Sequence, residues 1–174
     1  MPIPQAAIRS LQQYFDKILV VSVPRFTDRH EKVKQQLQGL SFDFFWGADK
    51  LQLDPEAVKT NGTYDEPRAR QLQRQGKVLN LGEVACSLSH RNLYATMVEQ
   101  QWQRILILED DVLPLADNMA HLPEALQELP PDWELVYLGY LKHEHVTAGL
   151  RAKQFFYKIL SALGLMNWSF KMVS

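Results

Sequence analysis

Glu109, Asp110 and Asp111 stand side by side directly after a four-residue apolar run, Ile105-Leu106-Ile107-Leu108. Three adjacent carboxylates repel one another and cannot all be buried without partners. As hard oxygen donors they suit Mg2+ or Mn2+. The run before them lacks the polar spacing of a helix and reads as a central strand buried on both faces, the pattern of parallel sheets. Ligands of open α/β sheets bind beyond the carboxyl ends of such strands. The acidic triplet is therefore expected at the mouth of a cleft. The plain alternative is a solvated acidic turn.

A second set of polar residues lies on the longest helical pattern, Gly82 to Gln100. Val84, Leu88, Ala95 and Val98 recur at spacings of 4, 7 and 3 and predict one apolar stripe. Arg91 falls at its edge, where a guanidinium needs a carboxylate or phosphate partner. Glu83, Ser87, His90 and Tyr94 form the adjacent polar row, which borders a site or satisfies a core network. Arg68, Arg70 and Arg74 cluster near Glu66 within residues 49–75. They read as a solvated excursion, with a basic flap over an anionic ligand as the sharper alternative. His143 and His145 alternate in sequence and read as solvated rather than metal-binding.

The elements that must position these groups alternate between strand and helix. Gln5 to Phe15 has helical spacing, and Lys17 to Val23 is an apolar strand ended by Pro24. Asp28 to Gln38 reads as a charged surface helix, capped by Thr27 or Asp28 and closed by Gly39. Phe42 to Trp46 is a second strand. A β-α-β opening builds a parallel pair. Asp54-Pro55 starts a short helix and Asn61-Gly62 is a turn. After the acidic strand, Asn118 to Leu129 predicts a helix ended by Pro130-Pro131, and Glu134 to Leu138 another strand. Leu150 to Leu163 predicts a helix with Phe156, Ile159, Leu160 and Leu163 on one side.

The 174 residues suit a single domain or part of a larger one, and 46% hydrophobic content suffices for a core. A net charge of −1 gives no global field for nucleic acid. The single cysteine, Cys86, excludes an intramolecular disulfide and fits a reducing compartment. With no signal-peptide pattern and no apolar run of about 20 residues, the expected location is cytoplasmic, with contact at the inner face of the membrane as an option.

Four segments together resemble glycosyltransferase family 25. Gly82-Glu83-Val84-Ala85-Cys86-Ser87-Leu88-Ser89-His90 resembles its GE-x-x-C-x-x-SH block. Leu108-Glu109-Asp110-Asp111-Val112 resembles the aspartate-x-aspartate site of nucleotide-sugar glycosyltransferases. Val21 to Arg29 resembles the family's nucleotide-binding start, and Trp133 to Gly139 its following strand. Order and spacing agree across roughly residues 17 to 140. The chain departs from the family at Ser22-Val23-Pro24-Arg25, where Asn-Leu-Asp-Arg is usual, so proline stands in place of a nucleotide-contacting aspartate.

The resemblance implies an α/β, Rossmann-like GT-A fold with a mostly parallel sheet flanked by helices. Such enzymes are usually longer, so the chain is expected to be the nucleotide-sugar part, with the acceptor-side segment absent. The implied reaction moves a hexose, galactose favoured, from a UDP-sugar to a glycan or lipid-linked glycan acceptor, as in lipooligosaccharide biosynthesis. Implied donor contacts are Val23, Arg25, Arg29, His90, Arg91 and Asp110. Glu109 and Asp111 would hold Mn2+ or Mg2+. No residue is assigned as catalytic base. Two other readings compete. One is a non-catalytic nucleotide-sugar-binding module left by truncation. The other is a Mg2+-binding receiver-like domain, disfavoured because its acidic strand should open the domain. The apolar segment Phe155 to Leu165 is expected to pack on protein or promote self-association, rather than lie at a membrane.

Overall fold

The computed structural model describes residues 3–72, 76 and 78–139. The predicted helix over Leu150 to Leu163, the pair His143 and His145, and Arg74 lie outside them. The chain divides into two units, Met1–Val58 with Asn80–Pro131, and Lys59–Leu79 with the residues after Pro131.

The first unit holds α1 (Gln5–Tyr14), β1 (Lys17–Ser22), α2 (Thr27–Gln36) and β2 (Asp43–Trp46). Helix α3 (Pro55–Thr60) begins in this unit. After the second unit's helix α4 (Glu66–Leu72) come α5 (Leu81–Glu99), β3 (Ile105–Glu109), α6 (Ala116–Met119) and α7 (Leu122–Gln127). The strands form one parallel sheet in the order β2-β1-β3, with Val20 opposite Phe44 and Leu108. The parallel β1–β2 pair is the one the alternation predicts, and the whole is the α/β, Rossmann-like core that the family resemblance implies.

The centre of the sheet is β1, not the acidic strand. Ile18 to Ser22 are all buried, because β1 is covered on both faces and paired on both edges. Among the described residues β3 is an edge strand, and only Leu106 in it is buried. An uninterrupted apolar run shows that both faces are covered, but not how many neighbours a strand has.

Residues alternate between the two faces of a strand. Leu19 and Val21 point to one face and meet Leu93 of α5, with Phe45, Trp102, Ile105 and Ile107 packed around them. Burying each such aliphatic side chain contributes about 1.5–3 kcal/mol. Ser22, Phe44 and Trp46 point to the other face, where His30 of α2 contacts all three. Strand order 2-1-3 explains this arrangement: right-handed crossovers running in opposite directions from β1 leave their helices on opposite faces. Asp16 ties β3 to the start of β1 by accepting the N–H groups of Gln103 and Arg104 at 2.7 and 2.9 Å.

Several local expectations are corrected. On α5 the buried residues are Val84, Ala85, Ser89 and Leu93, while Val98 is 77% exposed and Ala95 is also exposed. The helix turns a small residue and a serine inward, so apolar spacing alone picks the wrong stripe. Arg91 is exposed accordingly and makes no ion pair among the described residues. Neither Thr27 nor Asp28 caps α2, whose N-cap position is Phe26. Gly39 does close that turn, with φ of +90°. The helix expected over Asn118 to Leu129 is instead the two short helices α6 and α7. Pro123 lacks the N–H that a continuous helix would need.

In the second unit, Glu66 accepts from Arg70 at 2.8 Å and pairs with Lys59 at 3.3 Å. Asn61 Oδ1 accepts the Thr63 N–H, as its turn signal predicts. Residues 134–138 form no strand, and Leu135 and Tyr137 are 67% and 84% exposed. Strand propensity is realised only where another edge takes up the backbone groups. No helix among the described residues is long and apolar enough to cross a membrane.

Candidate functional site

The carboxyl ends of β1 and β3 lie side by side, and Val21 pairs with Glu109. Between these strands the chain order reverses direction across the sheet, the position where open α/β sheets leave a crevice. Strand alternation separates the acidic triplet there. Glu109 continues the face of Val21 and turns toward α5. Asp110 turns toward α2, and Asp111 is exposed.

On the α2 side Asp110 is buried and fully engaged. The Ser22 hydroxyl donates to its Oδ2 at 2.6 Å, and the Arg29 guanidinium donates to Oδ1 at 2.6 Å. Having given its only proton to Asp110, Ser22 accepts from His30 Nε2–H at 3.0 Å. His30 lies against Phe44 and Trp46, which fixes its ring. The bond to Asp110 holds the Arg29 guanidinium above its usual pKa, and the charge of Asp111 adds to this.

Arg25 makes a parallel pair. Its Nε donates to Asp49 at 2.6 Å, and this bond, helped by the Leu51 N–H, holds the Asp49 carboxyl below its ordinary pKa. Both guanidinium groups lie against the Phe26 ring, 4.2 Å (Arg25) and 4.7 Å (Arg29) from its centroid. Both guanidinium groups are partly exposed, so each keeps donors for an anion. Val23 is buried just beyond β1.

On the α5 side the helix start is firmly built. Asn80 accepts the N–H groups of Gly82 and Glu83, and Glu83 accepts the Asn80 N–H, completing a capping box. Ser89 Oγ donates to the Ala85 carbonyl at 2.7 Å and accepts the Ala48 N–H at 2.9 Å. Gly47 passes so close that a Cβ there would lie 2.4 Å from Ser89 Oγ. Only glycine lets β2's continuation run against α5 at this point.

At the residue after Ser89, His90 Nε2–H donates to Glu109 at 2.9 Å, and the Tyr94 hydroxyl reaches His90 Nδ1 at 3.5 Å. Cys86 lies one turn before His90. Its sulfur, an imidazole nitrogen of His90 and a Glu109 oxygen all fall within 4.8 Å of one another. Partial burial, and then the charge of Glu109, push the Cys86 thiol up.

The structure thus brings Arg29 and Asp110 together on one side of the strand ends, and His90 and Glu109 on the other. Asp111 stays outside the Cys86–His90–Glu109 group, and Arg91 points to solvent. Ser22, His30, Asp49 and Ser89 join the site without having been singled out from the sequence. Cys86 and His90, four residues apart on a helix, carried a readable signal as a pair on one helix face.

The sequence profile of glycosyltransferase family 25 (LPS biosynthesis protein) matches residues 15–161, and the chain belongs to that family. It is similar to the inactive glycosyltransferase 25 family member 3 of Homo sapiens, 28% identical over 138 residues, covering 72% of this chain and 22% of that one. It is similar also to procollagen galactosyltransferase 1 of Danio rerio, 27% identical over 135 residues, covering 72% and 21%. A glycosyltransferase 25 family member of Drosophila melanogaster is 29% identical over 104 residues, covering 56% and 16%. The chain spans about a fifth of the length of these curated relatives.

Proposed function

We propose that this chain binds a UDP-hexose, galactose favoured, and transfers the hexose to a glycan acceptor with Mn2+ or Mg2+. Acceptors of the lipooligosaccharide type fit the family's description, and one similar protein bears the name procollagen galactosyltransferase. The observation that carries the reading is the acidic triplet at the carboxyl end of β3, beside the β1–β3 reversal.

A nucleoside diphosphate leaving group gains negative charge as the glycosidic bond breaks. Arg25 and Arg29, each with free donors, are suited to bind it, and the exposed Arg91 is a further cation assigned to it. Asp110 orients Arg29. Glu109 and Asp111 are exposed hard-oxygen donors, which suits a divalent ion. When bound, such an ion supplies Lewis-acid stabilisation of the departing diphosphate.

Calorimetry with UDP-galactose in Mn2+ and in chelator tests this reading. Stronger binding with metal, lost in Asp111→Asn, is expected. Equal affinity in the two buffers would refute the metal role. The second reading is a non-catalytic nucleotide-sugar-binding module, favoured by the similarity to a family member named inactive. Turnover of the sugar nucleotide, measured beside its binding, separates the two.

A further inference from the structure

We infer that Cys86, His90 and Glu109 form a binding site for a zinc-class ion, which shares Glu109 with the hard-oxygen pair of Glu109 and Asp111 but differs from it in its other donors. The inference does not rest on the sugar-nucleotide reading.

The donor set carries the argument. A thiolate, an imidazole and a carboxylate suit Zn2+, whereas a thiol contributes little to Mg2+ or Mn2+. Two donors come from one helix, four residues apart and therefore on one face. The third comes from the end of β3, which the parallel register fixes beside β1. The three donor atoms already lie within 4.8 Å of one another. A tetrahedral zinc holds its ligands roughly 2.0–2.3 Å away, so closing the site needs only side-chain rotation. Three protein ligands would leave a fourth position open to water or a substrate oxygen.

The surroundings supply the support that a ligating histidine needs. Nε2 faces Glu109 and Nδ1 faces the Tyr94 hydroxyl. If Nε2 binds the ion, the remaining proton sits on Nδ1 and can be donated to the Tyr94 oxygen. Such outer partners fix ring orientation and tautomer. Glu109 accepts from His90 through one oxygen and is half exposed, so its carboxylate is free to turn onto an ion. On the opposite face Asp110 has no such freedom, because both its oxygens are taken.

The test uses the full chain, stripped with chelator and titrated with Co2+ and with Zn2+ alone. Co2+ should give a sulfur-to-metal charge-transfer band, and Zn2+ should abolish it by displacement. Cys86→Ser should remove the band, and Cys86→Ser and His90→Gln should each weaken Zn2+ binding by about 100-fold or more, because a direct ligand contributes at least as much as an outer partner, whose loss costs about 10–100-fold. All three ligands are exposed or half-buried, and circular dichroism confirms that the variants fold. Asp111→Asn should leave Zn2+ binding unchanged while altering the metal dependence of nucleotide binding. The assignment is overturned if wild type shows no thiolate band, if Cys86→Ser binds Zn2+ as wild type does, or if Asp111→Asn abolishes Zn2+ binding.

Discussion

Asp110 and Glu109 are neighbours in the chain, yet the sheet assigns them to opposite sides and different kinds of surroundings. Asp110 is buried beneath α2 and fixed by Ser22 and Arg29, with His30 behind. Glu109 meets α5 at the surface and has one side-chain partner among the described residues, His90. The difference shows how one acidic motif can serve two purposes. A buried carboxylate with both oxygens directed by the fold holds other groups in place. A carboxylate with a single exposed partner can exchange it for a ligand. Family membership accounts for the motif, and strand alternation accounts for this division.

The largest expected effect breaks the comparison most directly. Asp110→Ala strips a buried hydroxyl of its acceptor and Arg29 of its partner, and should cost about 2–3 kcal/mol. Glu109→Ala removes a single exposed pair and should change stability by about 0.5 kcal/mol or less. Urea unfolding of both variants, followed by circular dichroism, gives the ratio. Equal losses would show that the two faces are not organised differently.

Gly47→Ala asks whether the α5 side is loose throughout or only at Glu109. The added methyl meets Ser89 Oγ at 2.4 Å and Ser89 Cβ at 2.8 Å. Ser89 cannot swing aside, because it is buried and bonded to both Ala85 and Ala48. Overpacking of this kind typically costs about 1–3 kcal/mol. A melt within error of wild type would mean that α5 rides freely on the sheet, and the openness at Glu109 would then belong to the whole helix.

These tests rest on features of unequal visibility in the sequence. The three strands and the long helix were legible because apolar runs and helical spacing are local. The capping box of Asn80 and Glu83 that starts the long helix was not read, although both residues are local to it. The edge position of β3 was not legible, because it depends on pairing rather than on composition. The inner face of α5 was misread because Ser89 is polar yet buried, satisfied by the Ala85 carbonyl and by Ala48. Ser22 and Asp110 are 88 residues apart, and only the parallel register brings them to 2.6 Å. The apolar residues 134–138 looked like β3 in sequence, and only the absence of a paired edge distinguishes them.

The smallest expected effect lies at the far end of α5, where the helix hands over to β3. Gln101 N–H bonds to the Val98 carbonyl and Trp102 N–H to that of Met97, each at 3.1 Å. This is the bond pattern of a Schellman cap, whose left-handed position is usually glycine. Here Gln101 occupies it with φ of 56°. A side chain in that conformation costs roughly 1–2 kcal/mol. Glycine would remove the cost but give back roughly 0.5–1 kcal/mol through the greater freedom of the unfolded chain. Gln101→Gly should therefore stabilise the protein by roughly 0.5 kcal/mol, seen as a small rise in the urea midpoint at constant slope. Because the cap is three turns from His90, affinity at the Cys86–His90–Glu109 group should not change. If the variant gained stability and lost that affinity together, the freedom of Glu109 would depend on motion of α5 as a whole, and the contrast with Asp110 would be one of helix anchoring rather than of side-chain partners.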